Sequence, residues 1–190
     1  MPDDGSGLGL FGGAFDPPHR GHVELLVQAR AQLGLRRIVV LVVAAPGHKH
    51  VDTPADLRLL LARAAFPDDE VVLDPHPRTV DTLRAHPEWV DPTFLVGADE
   101  FCAFPAWKEP DEVLRLARIG VATRPGFPRE RLDAALRALS RPDRVGFFAI
   151  EPTPVASSEL RSRLVAGEDV DGDVPAAALS IIRAEHLYTG

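Results

Sequence analysis

The regular part of the chain opens with a short apolar run, Leu8 to Phe11, and the same device recurs along its length. Ile38 to Val43 (IVVLVV) is the clearest instance. Val71 to Leu73, Thr93 to Val96, Ile119 to Ala122 and Phe147 to Ile150 follow. These runs are continuous and not alternating, the pattern of strands covered on both faces in a parallel sheet. Between them the apolar positions fall at helical spacing. His22 to Leu33 carries them at 23, 26, 27 and 33. Thr53 and Pro54 predict a helix start, with Thr53 as N-cap and Pro54 in the first turn, and a buried face of Leu57, Leu60, Leu61 and Ala64. Glu109 to Ala117, Arg129 to Leu139 and Ser157 to Val165 read as further helices, the last closed by Gly167, and an amphipathic stretch runs from Val174 to Leu187.

Strand and helix thus alternate. That order predicts an α/β fold with a doubly wound, mostly parallel, Rossmann-like sheet and right-handed crossovers. A length of 190 residues suits one domain over 1–190, with a small C-terminal helical portion from about 155 to 190. In such sheets ligands bind beyond the carboxyl ends of the strands, so the residues just after each strand are the ones to read.

Composition narrows the options. A formal charge of -7 argues against a general affinity for nucleic acid or an anionic membrane, which repel a net anion. Cys102 is the sole cysteine, so no intramolecular disulfide can form and a reducing cytoplasm is the expected compartment. The acidic start Met1-Pro2-Asp3-Asp4 lacks the order of a signal peptide. The basic residues are overwhelmingly arginine, Lys49 and Lys108 being the only lysines. That bias matches abundant Ala and Pro and reads as a coding preference.

The strand exits are chemically unusual. After β-type Leu8 to Phe11 comes Gly12-Gly13-Ala14-Phe15-Asp16-Pro17-Pro18-His19-Arg20-Gly21-His22. Paired glycines let backbone approach a ligand, and His19 and His22 share a side at a helix N-terminus, which favours phosphate. As a zinc site the pair is too sparse. The second exit holds His48-Lys49-His50, the third Pro77-Arg78-Thr79-Val80-Asp81-Thr82-Leu83, and the fourth Gly97-Ala98-Asp99 and then Phe104-Pro105-Ala106-Trp107. Arg124-Pro125-Gly126 follows the fifth, and Ser157-Ser158-Glu159-Leu160-Arg161 opens the late helix. Taken singly, several of these are ordinary helix caps or solvated loops.

Together they carry a family likeness. The string GGAFDPPHRGH resembles the signature of the bacterial nicotinate mononucleotide adenylyltransferases, a strict local form of the H-x-G-H motif of the wider nucleotidyltransferase superfamily. The likeness runs from about Leu8 to the ending Glu185-His186-Leu187-Tyr188, with the motifs in the family's order. It implies nucleotide contacts from Gly12, Gly13, Phe15 and Asp16. It implies phosphate contacts from His48 and Lys49, where Gly47 replaces a usual proline. Thr79 and Thr82 match the segment that meets the pyridine nucleotide, preceded by Arg78 where the family usually has an aromatic residue. Gly97 and Asp99 match a ribose-contacting segment, Trp107 a ring that stacks on nicotinate, and Arg124 a nucleotide-binding R-P-G. Ser157 and Ser158 would cap their helix while holding ATP phosphates with Arg161.

The implied reaction is in-line attack of a mononucleotide phosphate on the α-phosphorus of ATP, with no covalent intermediate. His19 and His22 would meet the α- and β-phosphates, and Lys49 and Arg161 the triphosphate. Mg²⁺ would be carried by ATP and water, with no protein metal cage. The partners expected are ATP and a pyridine mononucleotide, and a homo-oligomer is compatible with the sequence. Other acceptors stay open: nicotinamide mononucleotide, phosphopantetheine, or a glycerol- or choline-type phosphate with CTP. So does a nucleotide sensor without turnover. A plain Rossmann dehydrogenase is disfavoured because no G-x-G-x-x-G follows the first strand.

Overall fold

The computed structural model describes residues 7–47, 51 and 53–189. Its strands are β1 (Leu8–Gly13), β2 (Arg37–Val43), β3 (Glu70–Asp74), β4 (Thr93–Gly97), β5 (Arg118–Thr123) and β6 (Val145–Ala149). Its helices are α1 (Arg20–Leu33), α2 (Ala55–Ala65), α3 (Thr79–Ala85), α4 (Ala98–Ala103), α5 (Pro110–Leu116), α6 (Arg129–Arg137), α7 (Ser157–Val165) and α8 (Ala176–Ala184). Each of the six apolar runs is a strand. All pair in parallel in the order β3-β2-β1-β4-β5-β6. The sheet is therefore wholly and not just mostly parallel, and the strand order reverses between β1 and β4, where a crevice must open.

The continuous apolar runs are used as their pattern demands. In β2, Ile38, Val40 and Val42 join Phe11 of β1 in one core with α1 and α2, while Val39 and Leu41 join Leu10 and Phe94 in a second core with α3 to α6. Successive side chains of a strand point to opposite faces, so both faces must be covered. The C-terminal portion shares the first core through Leu160, Val174, Ala178 and Ile182, and α8 packs against α2.

Two helix starts, those of α2 and α7, differ from the sequence expectation. α2 begins at Ala55 with Pro54 at the N-cap, and Thr53 lies buried just before it. The N-cap of α3 is Arg78 and that of α7 is Ala156, so Thr79, Ser157 and Ser158 stand inside their first turns. The Ser157 hydroxyl does not cap; it donates to the Pro17 carbonyl at 2.9 Å and ties α7 to the loop after β1. The buried face of α2 also differs: Arg58, Leu61, Ala62 and Ala65 face inward, and Leu60 is exposed. The reason is Arg58, whose burial turns the helix away from its most apolar orientation. Among the described residues no helix is long and apolar enough to cross a membrane.

Candidate active site

A cleft of about 1550 Å³ opens beyond the carboxyl ends of the strands, centred on the reversal of strand order. That exceeds the roughly 300–1,000 Å³ of a usual small-molecule pocket and leaves room for two nucleotides at once. His19, His22, Gly12, Gly13, Phe15 and Asp16 form its floor. Arg78, Thr79, Thr82 and Trp107 line one wing, and Arg124, Ser157, Ser158 and Arg161 the other, with Gly97 and Asp99 between. His48 and Lys49 lie outside the described residues. Every other residue to which the family likeness gives a contact lines this one cleft.

The floor is built from rings. Phe15 has a positive φ of 52° and is nearly fully buried. Its ring meets Phe11, Phe66 and His22 edge-on, so packing holds a backbone conformation that a bulky side chain seldom adopts. A Cβ on Gly13 would stand 2.9 Å from that ring, which accounts for the second glycine. His19 and His22 stack with ring centroids 3.7 Å apart. The His19 backbone N–H donates to His22 Nδ1 at 3.2 Å, so the neutral His22 ring carries its proton on Nε2. A Cβ on Gly21 would come within 3.1 Å of the His19 ring. The glycine of H-x-G-H is thus the space that lets the first imidazole lie flat over the start of α1.

Burial lowers the His19 pKa to about 4, against the pull of Asp173. The ring is therefore neutral near pH 7 in the free protein, and its Nδ1 is buried without a partner among the described residues. Asp16 is 3 % exposed and accepts the Tyr188 hydroxyl at 2.6 Å. Burial first, then the Asp16 hydrogen bond, push the Tyr188 hydroxyl well above its ordinary pKa. The Asp16 carbonyl accepts from Arg161 at 2.7 Å, which fixes that guanidinium at the rim of the histidine floor.

Similarity to known proteins agrees with this geometry. The family model described as cytidylyltransferase-like matches residues 10–163. A protein of Rubrobacter xylanophilus named "Probable nicotinate-nucleotide adenylyltransferase" is 32% identical over 95% of this chain and 91% of its own. One of the same name from Thermus thermophilus is 34% identical over 95% and 98%. The chain belongs to the nicotinate-nucleotide adenylyltransferase family. Among solved structures, the Plasmodium falciparum nicotinic acid mononucleotide adenylyltransferase complexed with NaAD superposes with a TM-score of 0.72 at 17% identity, covering 95% of this chain and 96% of that one. At that identity the likeness is one of fold.

In this family member the structure also brings to the site groups that no motif marks. Arg58, 2 % exposed, donates to four backbone carbonyls: Thr53, Ala14, Val43 and Ala44, at 2.8–3.0 Å. It ties the exits of β1 and β2 together beneath the cleft. Burial works against its charge and the nearby Asp16 carboxylate works for it. Its only sequence signal was a charge inside the apolar run Leu57 to Leu61. Asp74, at the end of β3, is buried and accepts from the His76 N–H at 2.9 Å, the His76 ring at 3.0 Å and the Thr82 hydroxyl at 2.7 Å. The Asp-x-His spacing of a local turn was the available signal. Thr82, taken in the sequence as a binding residue, commits its hydroxyl to this carboxylate.

Trp107 is half-buried, edge-on to Phe104 and Phe94, and lines the cleft. Asp99 is exposed, 3.5 Å from Arg131 and 3.8 Å from Arg124. Among the described residues no group of three or more His, Cys, Asp or Glu side chains could hold a metal ion. The floor's imidazoles and guanidinium are instead a donor set for anions.

Proposed function

We propose that this family member transfers the adenylyl group of ATP to nicotinate mononucleotide, giving nicotinate adenine dinucleotide and pyrophosphate, a step of NAD biosynthesis in the cytoplasm. The observation that carries the reading is the stacked His19–His22 pair at the start of α1, on the floor of a cleft roomy enough for both nucleotides. The names of its relatives and the NaAD-bound neighbour agree with it.

The chemistry follows from the donors available. An acceptor phosphate oxygen attacks the α-phosphorus of ATP, and the bond from that phosphorus to the bridging oxygen breaks. The electron pair leaves with pyrophosphate. No side chain needs to form a covalent bond. His22 donates through Nε2 to oxygens that gain charge in the transition state, and the neutral His19 ring stacked on it offers a ring N–H to the same phosphates. Arg161 and Lys49 neutralise the triphosphate. Gly12, Gly13, Phe15 and Asp16 shape the floor, and Ser157 and Ser158 offer the first turn of α7 to ATP. On this reading Asp99 and Arg124 take the ribose hydroxyls, and Trp107 offers a ring face to the pyridine. Mg²⁺ enters as part of the ATP substrate, its coordination shared by phosphates and water. Positioning and charge neutralisation supply the rate.

The test is pyrophosphate release from MgATP with nicotinate mononucleotide and, in parallel, nicotinamide mononucleotide. Turnover with the acid is the expected result. Tight ATP binding with no pyrophosphate released from either acceptor would defeat the proposal.

A further inference from the structure

The two wings of the cleft differ in chemistry. One presents the start of α7 with Arg161, which suits a triphosphate. The other presents the loop leaving β3, from Asp74 to Arg78, together with Trp107. Joining two nucleotides leaves the new phosphoanhydride in the middle and one base at each end, and on the adenylyl-transfer reading the β3 wing, with the Trp107 ring beside it, takes the acceptor's base.

That loop is unusually well fixed. Burying a carboxylate is costly unless donors meet it, and Asp74 is met by three, from His76 and Thr82. The pins lie on both sides of Arg78. The Arg78 carbonyl accepts from Asp81 N–H at 3.0 Å and Thr82 N–H at 3.1 Å, which locks its backbone at the N-cap of α3. Its side chain is exposed and lines the cleft.

The charges of the wing are otherwise matched. Asp81 is paired with Lys108 at 2.9 Å, and Asp74 is spent on His76 and Thr82. Arg78 has no carboxylate or carbonyl partner among the described residues. It is the positive charge of this wing that nothing nearby offsets. A guanidinium reads a carboxylate through two parallel N–H bonds. A carboxamide offers only one acceptor and turns an NH₂ group toward the same donors.

We infer that Arg78 selects the carboxylate over the carboxamide form of the acceptor's pyridine ring. The inference rests on the adenylyl-transfer reading above. It is tested by the ratio of kcat/KM for nicotinate mononucleotide over nicotinamide mononucleotide, in the wild type, Arg78→Gln and Arg78→Lys. Arg78 is exposed, so these variants keep the fold, and the KM for ATP reports on that. In Arg78→Gln the ratio falls about 10- to 100-fold, the range of one hydrogen bond to a charged group, with the loss on the acid alone. Arg78→Lys recovers part of it, since a point charge lacks the fork. An unchanged ratio overturns the inference. An equal loss with both acceptors also overturns it, because Arg78 would then hold their shared phosphate. If the wild type turns over neither acceptor, the functional reading falls and this inference falls with it.

Discussion

The loop leaving β1 lines the cleft and helix α2 braces that loop from beneath, and the two are built by opposite means. The loop uses rings: Phe15 against Phe11, Phe66 and His22, and His19 stacked on His22, with glycines where the rings need space. α2 uses one buried cation, Arg58, which gathers backbone carbonyls from the exits of β1 and β2. A ring floor puts its polar atoms at the ligand. A buried guanidinium spends its donors on the protein. The first region should therefore govern turnover and the second stability, and that division can be attacked directly.

The largest effect expected is from Arg58→Ala. It leaves four inward-facing carbonyls without their donor and removes the positive charge beside the Asp16 carboxylate. The loss of unfolding free energy should be on the order of 3–5 kcal/mol, measured by denaturant titration. A loss under about 1 kcal/mol would show that water replaces the guanidinium and that α2 is no keystone.

On the other side of the comparison, His22→Ala should lower kcat by about 10²–10³, the usual cost of one transition-state donor, while the protein remains folded. Near-normal turnover would remove His22 from the chemistry. Unfolding on a par with Arg58→Ala would erase the distinction between the two regions.

The same contrast explains what the sequence made legible. In the β1 loop the ring contacts Phe11–Phe15, Phe15–His22 and His19–His22 join residues close in sequence, so the string from Gly12 to His22 displays much of its own geometry. The six strands were equally plain, because a buried parallel strand must be apolar throughout. The orientation of α2 was not. A helix pattern read from apolar spacing alone turns Leu57, Leu60, Leu61 and Ala64 inward, and only the carbonyls of Ala14 and Val43, far away in the chain, bring Arg58 in instead. The helix caps failed for a related reason. Ser157 had a better partner than its own helix in the Pro17 carbonyl, and at α3 the turn is secured by Asp74 and Thr82 and not by Thr79. Asp74 and His76 went unread because a carboxylate's burial is not visible in the two residues that flank it.

A smaller effect concerns the charge of the floor. Burial holds the His19 pKa at about 4, against 6.5 for an ordinary histidine. Between those values the unfolded chain binds a proton that the folded one refuses, so stability is complete above about pH 6.5 and is lost as pH falls toward 4. From about pH 7 to pH 5 the loss due to this group is roughly 2 kcal/mol. Unfolding of wild type and His19→Asn across that range isolates it from the carboxylates, because only the wild type should show the extra slope. Parallel curves would mean that the ring is solvated enough to titrate normally.

The smallest effect is the sharpest probe of the division between the regions. Gly21 stands in the first turn of α1, and a methyl group there would lie 3.1 Å from the His19 ring. The ring cannot simply move aside, because it is buried and stacked on His22. As a helix residue, alanine is better than glycine by about 0.5–1 kcal/mol. Pushing a side chain off its rotamer costs about 0.5–1.5 kcal/mol. The two nearly cancel in stability, so Gly21→Ala should unfold within about 1 kcal/mol of the wild type. They do not cancel in catalysis, where only the ring's displacement counts, and a barrier raised by that much slows kcat about 2- to 12-fold. Measured together, unchanged unfolding with reduced turnover would show that the glycine serves the imidazole and not the helix. A faster or unaltered enzyme would mean that the ring has room to yield, and that the tight contact at Gly21 has no part in setting its pose.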